Sequence, residues 1–359
     1  MKVFPCVAFL TLLLICSASG QAPRLTWHGV RSLPIEGKGW EDTKDFYDRL
    51  PARAEKMVRP SVWNLSRDSA GLCARFVTDA ESISAKWTLR KESLSMPHMP
   101  ASGMSGLDLY VKEQGKWRWL GAGRPKQFPT NEAVLVRNVP KAQREYLLYL
   151  PLYNGVTAVD IGVPAEAKFH AAPSRDDKKP IVFYGTSILQ GGCASRPGLA
   201  YPAIIGRKLD WPVINLGFSG NAKSEPELAE LLAELDPSAY VLDPLPNMDA
   251  VAVRERIEPF VHTLRSAHPK TPIILVESLS YTDGFLVETR KNRYTSSNAA
   301  LREAFKNLKK SGVKNLHYIP GKDLIGQDGE GTVDGTHPND LGFMRMADEI
   351  GPVLRRLVR

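Results

Sequence analysis

The first half of the chain contains short stretches in which apolar and polar residues alternate. Gly, Pro and Asn separate these stretches, which lie at residues 71–77, 82–89, 107–111, 117–121, 133–139, 145–150 and 156–162. Alternation with a period of two turns one face of a strand toward a core and the other toward solvent. Strands at this spacing predict an antiparallel β-sandwich over residues 22–170.

The pattern changes after residues 171–179, a stretch with Pro, Ser and mixed charges that we interpret as a linker. Short apolar runs follow at residues 181–184, 213–216, 240–242, 273–276 and 316–319. Helical patterns alternate with them at residues 201–209, 225–235, 250–268, 290–310 and 338–358. Strands that are buried on both faces read as continuous apolar runs. Residues 180–359 are therefore predicted to form an α/β domain, a parallel sheet with helices on both faces.

The composition is consistent with two domains, and the charge distribution argues against one class of partner, nucleic acids. The chain has 359 residues, 43% of them apolar, which is ample for two cores. Its net charge of +8 comes from basic residues interspersed with acidic ones. Because no basic stripe with interleaved aromatic residues is visible, we do not expect a nucleic-acid partner.

The first 20 residues have the layout of a cleavable secretory signal. Lys2 precedes an apolar stretch at residues 7–15, and small residues follow at 17–20. We therefore expect a secreted or periplasmic protein. Lipid attachment at Cys16 is disfavoured because Ile15, rather than a small residue, precedes it. No later apolar run is long enough to span a membrane.

Only two cysteines, Cys73 and Cys193, follow the predicted signal. This is too few for a disulfide framework, even in an oxidising compartment. The two residues either pair with each other or remain as two buried free thiols.

Candidate catalytic residues lie in two segments that are 150 residues apart. Ser187 closely follows the first apolar run of the α/β domain, and Asp334-Gly335-Thr336-His337 precedes the last helical pattern. A serine hydroxyl needs an imidazole to remove its proton, and the imidazole needs a third group to fix its tautomer. Pro338 suits the first turn of the last helix, which would place His337 at a rigid junction.

Two further loops follow the second and third predicted strands, at residues 215–221 and 243–248. They contain Gly217 and Asn247, which could donate hydrogen bonds to a developing oxyanion. The carboxyl ends of parallel strands meet at one edge of a sheet, so all of these residues are expected there.

These four blocks resemble the SGNH (GDSL-type) hydrolase superfamily, named for its Ser, Gly, Asn and His, over roughly residues 179–359. The resemblance implies a flavodoxin-like three-layer α/β/α fold. It also implies that Ser187 is the nucleophile, His337 the base and Asp334 its partner. The implied oxyanion hole consists of the Ser187 N–H, the Gly217 N–H and the Asn247 side chain.

The segment 105–110, Ser-Gly-Leu-Asp-Leu-Tyr, resembles the Gly-x-Asp-Leu-Tyr N-terminal sandwich found before this type of hydrolase in some secreted bacterial proteins. We expect this domain to be jelly-roll-like. The usual Gly-Asp-Ser is Gly-Thr-Ser here, and Leu245 replaces a glycine near Asn247, a change that could shift the amide. An α/β-hydrolase is disfavoured because Leu189 stands where its nucleophile elbow needs a second glycine.

Other residues near the motifs have less specific signals. Arg196, in a glycine-rich loop, could bind a sugar hydroxyl or a substrate carboxylate, or could be a surface ion-pair partner. Cys193 is interpreted as a packing residue. The other histidines lack metal-ligand spacing, so we expect neither a metal nor a cofactor.

The sequence therefore predicts a secreted serine ester hydrolase that removes a short acyl group, most simply acetyl, from a carbohydrate. One alternative is an esterase for lipids, similar to platelet-activating-factor acetylhydrolases. Another is a glycan-binding protein whose hydrolase fold has lost turnover. Since the pocket of this fold is shallow, we also expect the N-terminal domain to pack close to Ser187.

Overall fold

The computed structural model describes residues 24–175 and 177–358. The predicted secretory signal and Cys16 lie outside these residues. No helix among the described residues is both long and apolar enough to cross a membrane.

Residues 25–171 form two antiparallel sheets that pack face to face. The strands are β1 (Leu25–Gly29), β2 (Ile35–Glu36), β3 (Cys73–Thr78), β4 (Ile83–Leu89), β5 (Leu107–Glu113), β6 (Lys116–Gly123), β7 (Thr130–Val136), β8 (Arg144–Tyr149), β9 (Val156–Pro164) and β10 (Phe169–Ala171). One sheet has the order β1-β9-β4-β7 and the other β10-β3-β8-β5-β6, with β2 beside β3. Apolar residues from both sheets, including the fully buried Trp87 and Phe76, fill the space between them.

This arrangement agrees with the predicted antiparallel sandwich, whereas its jelly-roll-like connectivity stays a prediction. The seven alternating stretches correspond to β3 to β9. The short strands β1, β2 and β10 were not predicted. Two short helices, α1 (Pro60–Ser66) and α2 (Ala101–Met104), lie between strands.

A five-stranded parallel sheet forms the centre of the second half. Its strands are β11 (Ile181–Gly185), β12 (Val213–Gly217), β13 (Ala239–Asp243), β14 (Ile273–Val276) and β15 (Leu316–Ile319). They follow the order β12-β11-β13-β14-β15, the flavodoxin-like order of doubly wound folds. Between and after them lie α3 (Ser187–Gln190), α4 (Tyr201–Leu209), α5 (Pro226–Ala233), α6 (Ala250–Ala267), α7 (Glu288–Lys310) and α8 (Asp340–Leu357).

The helices cover both faces of this sheet, as predicted. Apolar residues of α5, α6 and α7 pack in one cluster, while those of α4 and α8 pack in another. Helix α8 begins later than expected, because Asn339 is its N-cap and its side chain accepts the Gly342 N–H at 3.0 Å. Pro338 thus precedes the helix instead of occupying its first turn.

A buried arginine joins the two halves of the molecule. Arg49 is 1% exposed, and its guanidinium donates to the carbonyls of Asn215 and Gly217, each at 2.9 Å. It also donates to the carbonyls of Asp68 and Leu65 on its own side. A buried charge is stable only when hydrogen bonds replace its lost hydration. These four bonds do so for Arg49, and two of them hold the end of β12 against the N-terminal half.

Candidate active site

Ser187 lies at the carboxyl end of β11, as the first residue of α3. Thr186 is the N-cap of this helix, and its hydroxyl accepts the Ile188 N–H at 3.3 Å. Thr186, in place of the usual aspartate, thus supports the turn that carries the serine. Ser187 is 9% exposed, so little of the residue reaches solvent.

Ser187, His337 and Asp334 form a chain of hydrogen bonds. The Oγ atom of Ser187 lies 2.8 Å from Nε2 of His337. On the other side of the ring, Nδ1 lies 2.7 Å from Oδ2 of Asp334. The carboxylate therefore favours the tautomer in which Nδ1 carries the proton and Nε2 can accept one from the serine.

Backbone groups hold the carboxylate of Asp334 in place. Its Oδ1 atom accepts the N–H groups of Thr336 at 3.0 Å and His337 at 2.8 Å. Burial raises the pKa of Asp334, but hydrogen bonds from His337 and Thr336 outweigh burial and hold this pKa below its usual value. The carboxylate consequently stays ionised beside the imidazole at neutral pH.

The loop that carries Asp334 and His337 is fastened to the segment before α7 and to the first turn of that helix. Thr282 donates its N–H to the Gly335 carbonyl at 3.0 Å, and Arg290 donates to the Thr336 hydroxyl at 2.7 Å. Arg290 also binds the Asp283 carboxylate, with its shortest contact at 2.8 Å. These contacts fix the loop that positions His337 beside Ser187.

In the structure, Gly217 differs from the expectation that its N–H is free to bind an oxyanion. Its N–H donates to the side-chain oxygen of Asn215 at 2.9 Å, so this donor is already used. A Cβ atom at position 217 would lie only 2.3 Å from the Gln190 nitrogen. Gly217 is therefore a packing residue that lets β12 approach α3.

Gly220, three residues further along the same loop, has the properties that Gly217 lacks. It is exposed, its φ of +68° favours glycine, and its N–H has no acceptor among the described residues. The preceding Ser219 donates its N–H to the Gln190 side-chain oxygen at 3.0 Å. Gln190 is fully buried and donates in turn to Asp68 and to the Leu152 carbonyl, at 3.2 and 3.1 Å.

Asn247 packs against this same loop. In the orientation that satisfies its amide, the side-chain oxygen accepts the N–H groups of Asn221 at 3.0 Å and Ala222 at 3.2 Å. Arg293 of α7 donates to the carbonyls on either side, Met248 at 2.5 Å and Pro246 at 3.3 Å. The loop thus holds Asn247 firmly although Leu245 replaces the usual glycine.

Arg196 lies in the interface between the two halves, where it forms an ion pair, the second of the two roles expected for it. Its Nη1 contacts both carboxylate oxygens of Asp108 at 2.9 Å and the Tyr110 hydroxyl at 3.0 Å. Asp108 also accepts the Gly198 N–H at 2.9 Å and the Trp119 indole N–H at 2.8 Å. The Asp and Tyr of the Gly-x-Asp-Leu-Tyr segment are therefore interface residues.

The N-terminal half reaches the surroundings of Ser187, which confirms the expectation that it packs there. The Tyr153 hydroxyl donates to the Ser187 carbonyl at 3.0 Å. The His98 ring lies with its centroid 5.9 Å from that of His337. The sequence did not identify Tyr153, Gln190 or Gly220 as site residues, and it gave His98 no role beyond the lack of metal-ligand spacing. Tyr153 and His98 are far from Ser187 and His337 in the chain, and a local pattern does not reveal contacts between distant residues.

Within the described part of the chain, Cys73 and Cys193 are both buried and free. Burial, followed by the nearby Asp334 carboxylate, raises the pKa of the Cys193 thiol to about 12. A neutral thiol is a poor nucleophile, so Cys193 agrees with its interpretation as a packing residue. No group of three or more His, Cys, Asp or Glu in the described residues could hold a metal ion.

Two family descriptions match nearly the whole described chain. Residues 178–355 match the GDSL-like lipase/acylhydrolase family, and residues 25–169 match the N-terminus of SGNH-hydrolase-type esterases. No curated protein sequence matched the chain.

Solved structures give the same result. A protein assigned as a GDSL-like lipase from Bacteroides ovatus is 40% identical, with a TM-score of 0.88, over 93% of this chain and 98% of that one. A salicylyl-acyltransferase from a tetracycline biosynthetic pathway shares the fold at 20% identity and a TM-score of 0.75, over 94% and 99% of the two chains. A family two carbohydrate esterase from Clostridium thermocellum, solved with cellohexaose, shares it at 15% identity and a TM-score of 0.58, over 80% and 92%. The chain therefore belongs to the SGNH (GDSL-type) hydrolase family and carries the N-terminal domain of its esterases.

Proposed function

We propose that the protein is a secreted serine ester hydrolase that removes a short acyl group, most simply acetyl, from a carbohydrate. The observation that carries the proposal is the hydrogen-bonded chain of Ser187, His337 and Asp334. This arrangement activates a serine for attack on a carbonyl and needs no cofactor.

The reaction follows from the geometry of these three residues. Oγ of Ser187 attacks the ester carbonyl while Nε2 of His337 takes the hydroxyl proton. His337 then gives this proton to the leaving alcohol oxygen, and an acyl-serine remains. A water molecule, deprotonated by His337, releases the acid and restores the serine. Asp334 holds the ring and stabilises the imidazolium that forms in both steps.

The negative charge of the tetrahedral intermediate needs hydrogen-bond donors. We propose the N–H of Ser187, the N–H of Gly220 and the Asn247 side chain for this role. The first N–H groups of a helix have no partner within it, which leaves the Ser187 N–H available. Gly220 replaces Gly217 in this assignment because its N–H has no acceptor among the described residues.

A carbohydrate ester is the substrate class that we favour. Carbohydrate esterases occur among the proteins of the same fold, including an acetyl xylan esterase from Butyrivibrio proteoclasticus at 12% identity and a TM-score of 0.59. The predicted secretory signal would deliver the enzyme to polysaccharides outside the cytoplasm.

A lipid ester is the second candidate, and one surface feature favours it. Phe285 and Leu286 are 88% and 80% exposed. They lie just before α7, in the segment that fastens the loop of Asp334 and His337. Exposed apolar residues next to a site are common where an apolar partner binds.

Hydrolysis of a substrate panel by the purified protein separates these functions. Acetylated oligosaccharides should be deacetylated with saturable kinetics, and p-nitrophenyl esters should lose activity as the acyl chain lengthens from acetate to octanoate. A preference for octanoate would indicate the lipid esterase. Glycan affinity without turnover of any ester would indicate the binding protein.

A further inference from the structure

His98 belongs to a rigid turn of the N-terminal half. Met96 and Met99 exchange two backbone hydrogen bonds, each 3.0 Å, and Pro97 and His98 form the tip between them. Met99 is 1% exposed and Met96 is partly buried, and both pack in the apolar cluster that contains Ile188 of α3. The turn is thus anchored in the apolar cluster to which the helix of the nucleophile also contributes.

The tip of this turn presents an imidazole beside the catalytic histidine. The His98 and His337 ring centroids lie 5.9 Å apart, with a 51° angle between the rings. His98 is exposed, and its ring nitrogens have no hydrogen-bond partner among the described residues. Both nitrogens of His337 are engaged by Ser187 and Asp334, so His98 does not complete the catalytic chain.

The position of His98 places its ring near the part of the site where the leaving alcohol departs. His337 must protonate the leaving oxygen, which requires that oxygen within about 3 Å of Nε2. The rest of the leaving alcohol must then lie close to the His337 ring, and His98 is an exposed neighbour of that ring. A neutral imidazole has one donor and one acceptor nitrogen, which matches a sugar hydroxyl in either direction.

We propose that His98 forms a subsite for the leaving alcohol and hydrogen-bonds a hydroxyl group of its sugar ring. This inference rests on the proposed ester hydrolysis and adds a specificity residue from the N-terminal half. The subsite recognises a polyhydroxylated alcohol and has no role for a leaving group without hydroxyl groups.

The test compares two substrates in the wild-type protein, His98→Ala and His98→Gln. One substrate is an acetylated oligosaccharide, and the other is p-nitrophenyl acetate, whose leaving group has no further hydroxyl. We expect kcat/KM for the oligosaccharide to fall about tenfold in His98→Ala, the usual effect of one lost hydrogen bond. Hydrolysis of p-nitrophenyl acetate should change less than about twofold, and His98→Gln should recover part of the loss. His262→Ala, an exposed histidine of α6, is the matched control.

Product inhibition gives a second measurement. It would stay unchanged if His98 only supported the structure. The deacetylated oligosaccharide should inhibit p-nitrophenyl acetate hydrolysis, with an inhibition constant about tenfold higher in His98→Ala. Equal losses on both substrates, or no loss on either, would overturn the subsite while leaving the esterase intact. A wild-type protein that hydrolyses neither substrate would refute the esterase function itself.

Discussion

At the scale of single residues, Asp243 is a buried carboxyl group that the proposed reaction does not use. It ends β13, is 2% exposed, and accepts the Tyr201 hydroxyl at 3.0 Å. Burial raises the pKa of Asp243 from its usual 3.8 to about 7, and the hydrogen bond from Tyr201 offsets only part of this. The folded protein therefore binds a proton at this site that the unfolded chain releases above about pH 4.

The difference in the pKa of Asp243 between the folded and unfolded states makes stability depend on pH. Between about pH 4 and 7 the folded state holds more protons than the unfolded state, so the free energy of unfolding falls as pH rises. Asp243→Asn keeps an acceptor for Tyr201 but cannot titrate. We predict a flatter dependence of Tm on pH and a more stable protein at pH 8, by at most about 4 kcal/mol. Asp236→Asn, at an exposed ion pair, is the control, and identical pH curves for wild type and Asp243→Asn would contradict the prediction.

The candidate site shows which residues a sequence can identify. Ser187 stands in a short motif at the end of β11, and Asp334 and His337 stand in another just before α8. Each motif is recognisable in the sequence by itself, and the long loop after β15 brings the second to the first. The choice between Gly217 and Gly220 depends on whether an N–H is free, and only the fold shows that Asn215 occupies the first. Asn215 is only two residues from Gly217, but the sequence does not show which conformation its side chain adopts.

At the scale of elements, the end of α3 controls the loop after β12. Gln190 links the Ser219 N–H to Asp68, and Gly220 follows directly. Replacing Gln190 with Met removes these bonds with little change in volume. We predict that kcat falls about 10- to 100-fold, less than the loss of an oxyanion donor itself, while KM changes little. Gln127→Met, at an exposed position, is the control, and a change in KM alone would contradict this positioning role.

Helix α7 has a similar role for the loop after β13. Arg293 binds the carbonyls of Pro246 and Met248, which flank Asn247. We predict that Arg293→Met lowers kcat about tenfold, and that adding it to Asn247→Ala causes little further loss, because residues that act together are not additive. Arg254→Met, on the exposed face of α6, is the control. Fully additive losses in the double mutant would show that Arg293 acts independently of Asn247.

The elements themselves were mostly predictable, because β3 to β9 alternate in polarity and β11 to β15 are continuous apolar runs. The start of α8 was placed too early, since Pro338 suits a first turn but the Asn339 side chain provides the cap. Strands β1, β2 and β10 were missed because they are two to five residues long and contain no buried residue, unlike the similarly short β11 to β15. Short edge strands have too few positions to show a period.

At the scale of the whole molecule, the two halves share buried polar contacts. Arg49 and Asp108 each reach across the interface, and burial raises the pKa of Asp108, with Arg196 opposing only part of the effect. No sequence pattern pairs Asp108 with Arg196, which is 88 residues away. The sequence therefore left open whether Arg196 is a substrate ligand or an ion-pair partner, and its contact with Asp108 appears only in the fold.

This interface predicts that the molecule unfolds as one unit. Asp108→Ala leaves the Arg196 guanidinium, the Gly198 N–H and the Trp119 N–H without their acceptor. We predict a loss of about 3 kcal/mol in the free energy of unfolding, measured by urea denaturation, with a single transition. Glu132→Ala removes an exposed ion pair with Lys86 and should cost less than about 1 kcal/mol. Two separate transitions in the wild-type protein would contradict the shared interface.

The most direct test of the proposed function is acetate release from acetylated oligosaccharides by the mature protein and by Ser187→Ala. We predict saturable release by the wild type and a loss of about 10⁴- to 10⁶-fold in the variant, the usual effect of removing a triad nucleophile. Release at the wild-type rate by Ser187→Ala would contradict the assignment of Ser187 as the nucleophile.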